Sequence, residues 1–211
     1  AGQEGRIYRF NGERWQLHFD LHLHVTLLAM WGTGPNSIYV VGDEGLILHF
    51  DGLSWQRLPA GTHSALYDIW GLDDRHVLAV GDFGLALRYN GQDWKEFNTG
   101  TEQFIYGVWG SALDNIYAVG LSGTVAHFNG TRWQLMPTRQ QHDLLAISGN
   151  DSGEVFAVGT RGTVLRLDHT HWQREVTPTT MGLRALCVTR EGTVYAVGDQ
   201  GCILRRSLVP G

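Results

Sequence analysis

Cysteine is scarce: the 211 residues contain two, Cys187 and Cys202. That excludes a disulfide framework and argues against a cysteine-based zinc site. No apolar run approaches the roughly 18 residues that a membrane-spanning helix needs. No Lys/Arg cluster appears in a chain of formal net charge −5. A nucleic-acid surface requires concentrated positive charge, so that partner class is not expected. No signal-peptide pattern is present and the first residue is Ala, as expected of a processed protein or a fragment of a longer one. So few thiols leave the redox compartment open.

What is abundant is glycine, at 28 residues, and tryptophan, at 8. Glycine stands at roughly twice its average usage. Both excesses are periodic. Val-Gly recurs at Val41, Val80, Val119, Val158 and Val197, each 39 residues after the last. A second glycine follows three residues behind each pair, from Gly45 to Gly201. Trp15, Trp55, Trp94, Trp133 and Trp172 keep the same interval to within one residue. A second aromatic column, Trp31, Trp70 and Trp109, continues as Ser148 and Cys187. Columns held in phase over the whole chain mark a tandem repeat of about 39 residues.

Each repeat reads as four short strands. The first covers 27–31 and its equivalents. The second, at 38–41, is apolar on both faces, as in a strand covered from both sides. The third covers 46–50, and the fourth starts at the Trp15 column, where a polar residue always follows the indole. Asn11-Gly12, Asp51-Gly52, Asn90-Gly91 and Asn129-Gly130 are hairpin turns in this reading, with Asp168-His169 in the last copy. Gly42 to Gly45 brackets another tight turn, where glycine supplies positive φ. Four antiparallel strands in phase make a propeller blade. The expected fold is therefore all-β: a single-domain five-bladed β-propeller with blades at about 27–58, 66–97, 105–136, 144–175 and 183–206. The last blade is completed by residues 5–19, with the strand at 15–19 favoured as its fourth and a two-plus-two clasp as the alternative. The Trp15 column is expected in the core. Cys187 and Cys202 fall on the first and third strands of one blade, too far apart for a disulfide.

The run from Trp109 to Trp133 carries Trp-Gly, Tyr-Ala-Val-Gly, Gly-Thr-Val, Phe-Asn-Gly and Trp. It resembles propeller repeats of secreted and surface bacterial proteins and is similar to the Asp-box (BNR) superfamily and to photosystem-assembly propellers. Only the Asn/Asp-Gly-x-x-Trp tail of the Asp-box survives here. In blade count the chain is also similar to tachylectin-type sugar-binding propellers. The resemblance implies a fold and leaves function to the site.

The loops from fourth to first strand and from second to third strand are expected on one face of the blades. The first set carries His24, His63, Glu102 and His142; the second carries Asp43, Glu44, Asp82 and Asp199. These residues suit a polar-ligand rim more than a metal site. Asp68 stands where the other repeats have Ala or Gly, a lone carboxylate or a satisfied structural hydrogen bond. His22 and His24 are too few for a metal. His49 and His127 share a column with Arg9, Arg88, Arg166 and Arg205, which reads as a solvated face. No nucleophile–base–orienter set or phosphate loop is present, and the arginines that a sialidase would gather, such as Arg161 and Arg184, are scattered. The expectation is a non-enzymatic binding module without cofactor or metal, secreted or surface-exposed, with a protein or glycan partner. A lectin is the alternative, and a glycosidase the more distant one.

Overall fold

A computed structural model describes residues 2–206. They fall into two compact units, Ala1–Phe97 and Asn98–Gly211.

In the first unit, β1 (Arg6–Phe10) and β2 (Trp15–Asp20) pair as a two-stranded hairpin. Two four-stranded antiparallel sheets follow. One holds β3 (Leu27–Gly34), β4 (Ser37–Gly42), β5 (Ile47–Phe50) and β6 (Trp55–Leu58). The other holds β7 (Leu66–Asp73), β8 (His76–Gly81), β9 (Ala86–Tyr89) and β10 (Trp94–Glu96). In the second unit the order repeats as β11 (Ile105–Ala112), β12 (Asn115–Gly120), β13 (Val125–Phe128) and β14 (Trp133–Leu135). Next come β15 (Leu144–Gly149), β16 (Val155–Gly159), β17 (Val164–Asp168) and β18 (His171–Glu175). A three-stranded sheet of β19 (Leu183–Val188), β20 (Val194–Gly198) and β21 (Ile203–Arg206) comes last.

Each meander arises from the repeat chemistry. The Asx-Gly hairpins form with glycine in the left-handed region, as at Gly52 (φ 94) and Gly91 (φ 91). The preceding Asp or Asn accepts backbone N–H groups two and three residues on: Asp51 Oδ1 binds the amides of Leu53 and Ser54 at 2.8 and 2.7 Å. The doubly apolar second strands are the best covered, with Val40, Val41, Ala79 and Val80 at 0% exposure.

Sheets pack face to face within each unit, β3 and β4 on β7 in the first, β11 and β12 on β15 and then β15 and β16 on β19 in the second. The filling is the same each time. Tyr39, Val41 and Ile47 of one sheet meet Val77, Ala79 and Leu87 of the next, with Trp94 packed against them. Tyr117, Val119 and Val125 meet Val155, Ala157 and Leu165, with Trp172 among them.

Six sheets form among the described residues. Five of the sheets are meanders of three or four strands, one for each repeat, and the sixth is the β1–β2 hairpin. Strand β2 pairs with β1 rather than completing β19–β21. The local hairpin closes over a short Asn11–Arg14 turn, a much smaller loop-closure cost than pairing across the chain. One correction concerns the Trp15 column. Trp172 is buried, but Trp15 is 70% exposed. A fourth-strand indole is covered by the second strand of the preceding sheet, as Trp94 is by Tyr39 and Trp172 by Tyr117, and among the described residues of the first unit no sheet comes before β1. Cys187 and Cys202 are free thiols: Cys187 lies on β19, and Cys202 immediately precedes β21, with β20 between those strands.

Candidate functional site

The second and third strands of every sheet are joined by the same short turn: Asp43–Gly45, Asp82–Gly84, Leu121–Gly123, Thr160–Gly162 and Asp199–Gly201, with Gln3–Gly5 alike before β1. The glycine before the turn has φ of −171° at Gly42, ordinary extended backbone, so positive φ is not its reason. A Cβ there would run into the Thr26 carbonyl oxygen. That carbonyl accepts the Asp43 N–H at 3.0 Å, and the Ala65 carbonyl accepts that of Asp82 at 3.1 Å. The contact sews each turn to the incoming loop of its own sheet, so the two loop sets share one end of each sheet. The turn's last glycine (Gly45, φ 64) needs the left-handed region and also abuts the Thr62 carbonyl, beside His63.

Between the two glycines lies a residue that the chain forces into left-handed backbone without the glycine exemption. These are Glu4 (φ 61), Glu44 (57) and Phe83 (52) in the first unit, and Ser122, Arg161 and Gln200 (each 56) in the second. All six are exposed, Phe83 at 64%. Such positions cost about 1–3 kcal/mol each and persist where the surroundings over-determine them. The backbone is constant; the side chains are acidic, aromatic, hydroxyl, cationic and amide.

In the first unit, His24 and His63 are exposed on the incoming loops. Asp43 and Asp82 are tied down instead. Asp43 Oδ2 accepts the Thr26 N–H at 3.2 Å. Asp82 accepts the Ala65 N–H at 2.9 Å and the Tyr67 hydroxyl at 2.7 Å. Asp68 Oδ1 accepts the N–H of Ile69 at 2.9 Å. In the second unit Glu102 is exposed, while His142 Nδ1 lies 3.1 Å from the Thr163 hydroxyl. Asp199 binds Arg184 at 2.9 Å, and that hydrogen bond holds its carboxyl below the usual range. Where Leu121 replaces the turn acid, Asp143 from the loop entering the next sheet accepts the Ser122 N–H at 2.9 Å, tying this turn to its neighbour instead of to its own sheet. Among the described residues no three His, Cys, Asp or Glu side chains gather as metal ligands.

In the His49 column, Arg9 and Arg205 are exposed, but the two histidines are half-buried. His49 stacks on Tyr39 at 4.2 Å and His127 on Tyr117 at 4.4 Å, each across a ladder pair. Burial pushes both imidazole pKa values down. The exposed left-handed residues form a column of which only Glu44 stands among the loop candidates above. Its signal was present: the middle positions of Gly-x-x-Gly vary in chemistry between glycines that do not.

Neither a protein-family model nor a curated protein matches the chain. Solved structures do. A structure described as YCF48 bound to D1 peptide superposes with a TM-score of 0.76 at 17% identity, covering 97% of this chain and 72% of that one. YCF48 from Cyanidioschyzon merolae gives 0.66 at 16%, covering 88% and 68%. Virginiamycin B lyase from Staphylococcus aureus gives 0.72 at 10%, covering 87% and 70%. These likenesses show a β-propeller fold.

Proposed function

We propose that the chain is a non-enzymatic binding module that holds a segment of a partner protein on the turn rim of its first unit. The carrying observation is the repeated turn with an exposed, left-handed, chemically variable residue at its tip. Phe83 supplies an apolar anchor, Glu4 and Glu44 supply negative charge, and His24 and His63 flank them on the incoming loops. Asp43 and Asp82 hold the turns in shape rather than meeting the ligand. The partner chemistry that suits such a rim is a basic segment with an apolar or aromatic residue. A structural neighbour solved with a bound peptide supports a peptide-type ligand for this fold. An exposed aromatic ring could equally stack on a sugar face, which keeps a glycan ligand as the second reading.

Selection of a random-peptide display library against the chain tests the first reading, with a glycan array run in parallel. Enriched peptides should carry Lys or Arg beside an apolar residue. Their affinity should fall at least tenfold for Phe83→Gly. The same substitution should leave stability unchanged or raise it by up to about 1 kcal/mol, because glycine relieves the left-handed backbone. Selected peptides that bind Phe83→Gly and Glu44→Gly as well as the parent would remove the rim from the reading. Saturable glycan binding lost in Phe83→Gly would replace it with the lectin.

A further inference from the structure

Two segments of the chain carry the triplet Asn-x-Ser/Thr, the acceptor pattern for sugar transfer to asparagine. They are Asn129-Gly130-Thr131 and Asn150-Asp151-Ser152, both in the second unit. Locally the two are alike. In each, the hydroxyl of the third residue donates to the asparagine Oδ1, Thr131 at 2.8 Å and Ser152 at 2.7 Å. The same oxygen also accepts the backbone N–H of that residue, at 3.1 and 3.2 Å. The packing around them is what differs.

Asn150 is shut in. It is 6% exposed, and its Nδ2 donates both to Glu154 Oε2 and to the Thr189 carbonyl, each at 3.2 Å. The second of these bonds reaches the next sheet, where Thr189 follows β19. Asn129 instead sits at the tip of the hairpin between β13 and β14, where residues 129–132 are all exposed. Its side chain bonds through Oδ1, which accepts from Thr131 and from the Arg132 N–H at 3.1 Å, and Nδ2 is left free. The tip is loosely closed, with the Asn129 N–H 3.3 Å from the Arg132 carbonyl. No other copy of this hairpin completes the triplet. The matching residues are Asn11-Gly12-Glu13, Asp51-Gly52-Leu53, Asn90-Gly91-Gln92 and Asp168-His169-Thr170.

We propose that Asn129 is an acceptor for a sugar delivered from a glycosyl diphosphate by an enzyme that reads Asn-x-Ser/Thr, and that Asn150 of the folded chain is not. In the transfer, Nδ2 attacks the anomeric carbon. A carbon–nitrogen bond forms as the bond from that carbon to the diphosphate oxygen breaks. The diphosphate leaves with the electron pair, and Nδ2 gives up one proton. Nδ2 is therefore the atom that the donor must reach. On Asn129 it is free; on Asn150 it is buried and both of its protons are engaged. The transferase must also draw the triplet out of its turn. An exposed hairpin tip opens at small cost, whereas opening at Asn150 breaks a link between two sheets. Strand β13 runs from the Leu121–Gly123 turn to the Asn129 hairpin, so a sugar on Asn129 lies at the end of its sheet away from that turn.

The test incubates the folded 211-residue chain with UDP-glucose and a soluble transferase specific for Asn-x-Ser/Thr, read by intact mass and peptide mapping. One hexose is expected, on the peptide that contains Asn129, and none on the peptide that contains Asn150. Synthetic peptides of segments 124–136 and 145–157 should both accept glucose, so that packing rather than sequence withholds Asn150. Asn129→Asp should abolish the addition and leave the thermal midpoint unchanged, because Asp51 holds the same turn in the first unit. Phe83→Gly should be modified like the parent, which keeps this result separate from the rim reading. A folded chain bare at Asn129 under conditions that modify either peptide would overturn the proposal. Addition at Asn150 as fast as at Asn129 would overturn it as well. A 145–157 peptide that stays bare would remove packing as the cause, and a bare 124–136 peptide would remove the triplet itself.

Discussion

A Cβ placed on Gly71 would lie 2.5 Å from the Trp31 ring, and one on Gly149 would lie 2.6 Å from that of Trp109. The Trp-Gly pair of the repeat thus serves two sheets at once: the indole of one lies flat against the glycine of the next. The exception supports this reading. Where the aromatic column gives way to Ser148, the following repeat carries Val188, buried at 8%, in the glycine's place. Gly71→Ala should therefore destabilise by about 1–3 kcal/mol through overpacking, measured by urea unfolding. A neutral result would mean that Trp31 yields without cost. Gly81→Ala should lose about 3 kcal/mol or more, because the obstruction is the Ala65 carbonyl oxygen, backbone with no rotamer to change.

At the scale of strands, His49 and His127 show what the sequence pattern conveyed and what it hid. The 39-residue columns fixed which residues are strand and which are turn, and placed His49 in a column shared with arginine. Polarity alone read that column as wet. The cross-strand partner decides otherwise: Tyr39 and Tyr117 stack on the imidazoles, and Arg205 lies over Tyr195 at 6.0 Å. A flat imidazole or a flat cation suits the position where the ladder partner is Tyr, while Arg88 faces Leu78 instead. The choice of edge was equally hidden. Local periodicity says that residues 15–19 are a fourth strand, but not which third strand they join. Of the rim tips the sequence marks only Glu44, by its charge; left-handed backbone at Phe83 has no compositional mark when the residue is not glycine. Stacking has a pH consequence. With folded-state pKa values below the ordinary 6.5 of histidine, the neutral rings favour the fold. That stability is fully present above pH 6.5 and is lost as pH falls from there through the folded pKa values, because the unfolded chain takes up the protons first. Unfolding free energy measured from pH 8 down to 5 should decline below 6.5. The double variant His49→Gln, His127→Gln should flatten that decline. An unchanged slope would assign it to other groups.

Followed along the chain, coverage of the second strands is high from β4 to β16 and falls toward the first and last described strands. β16 is buried at every residue, whereas β2 is exposed at its first four and β21 at alternate positions. In a repeat protein stability is a sum of each unit and its neighbour interfaces, so a sheet with one neighbour is held less firmly than one with two. Two tryptophans from the same column separate this view from one in which every repeat contributes alike. Trp172 is 7% exposed against Tyr117, and Trp172→Ala should cost about 3–5 kcal/mol as a large core truncation. Trp15 is 70% exposed and touches Phe10 at 5.6 Å, so Trp15→Ala should cost less than about 1 kcal/mol. Native-state hydrogen exchange should rank the amides the same way, with β4, β8, β12 and β16 near the global limit and the β1–β2 hairpin opening at far lower free energy. Equal losses for the two variants, or a hairpin as protected as β16, would mean that β1–β2 is covered in solution by a further surface.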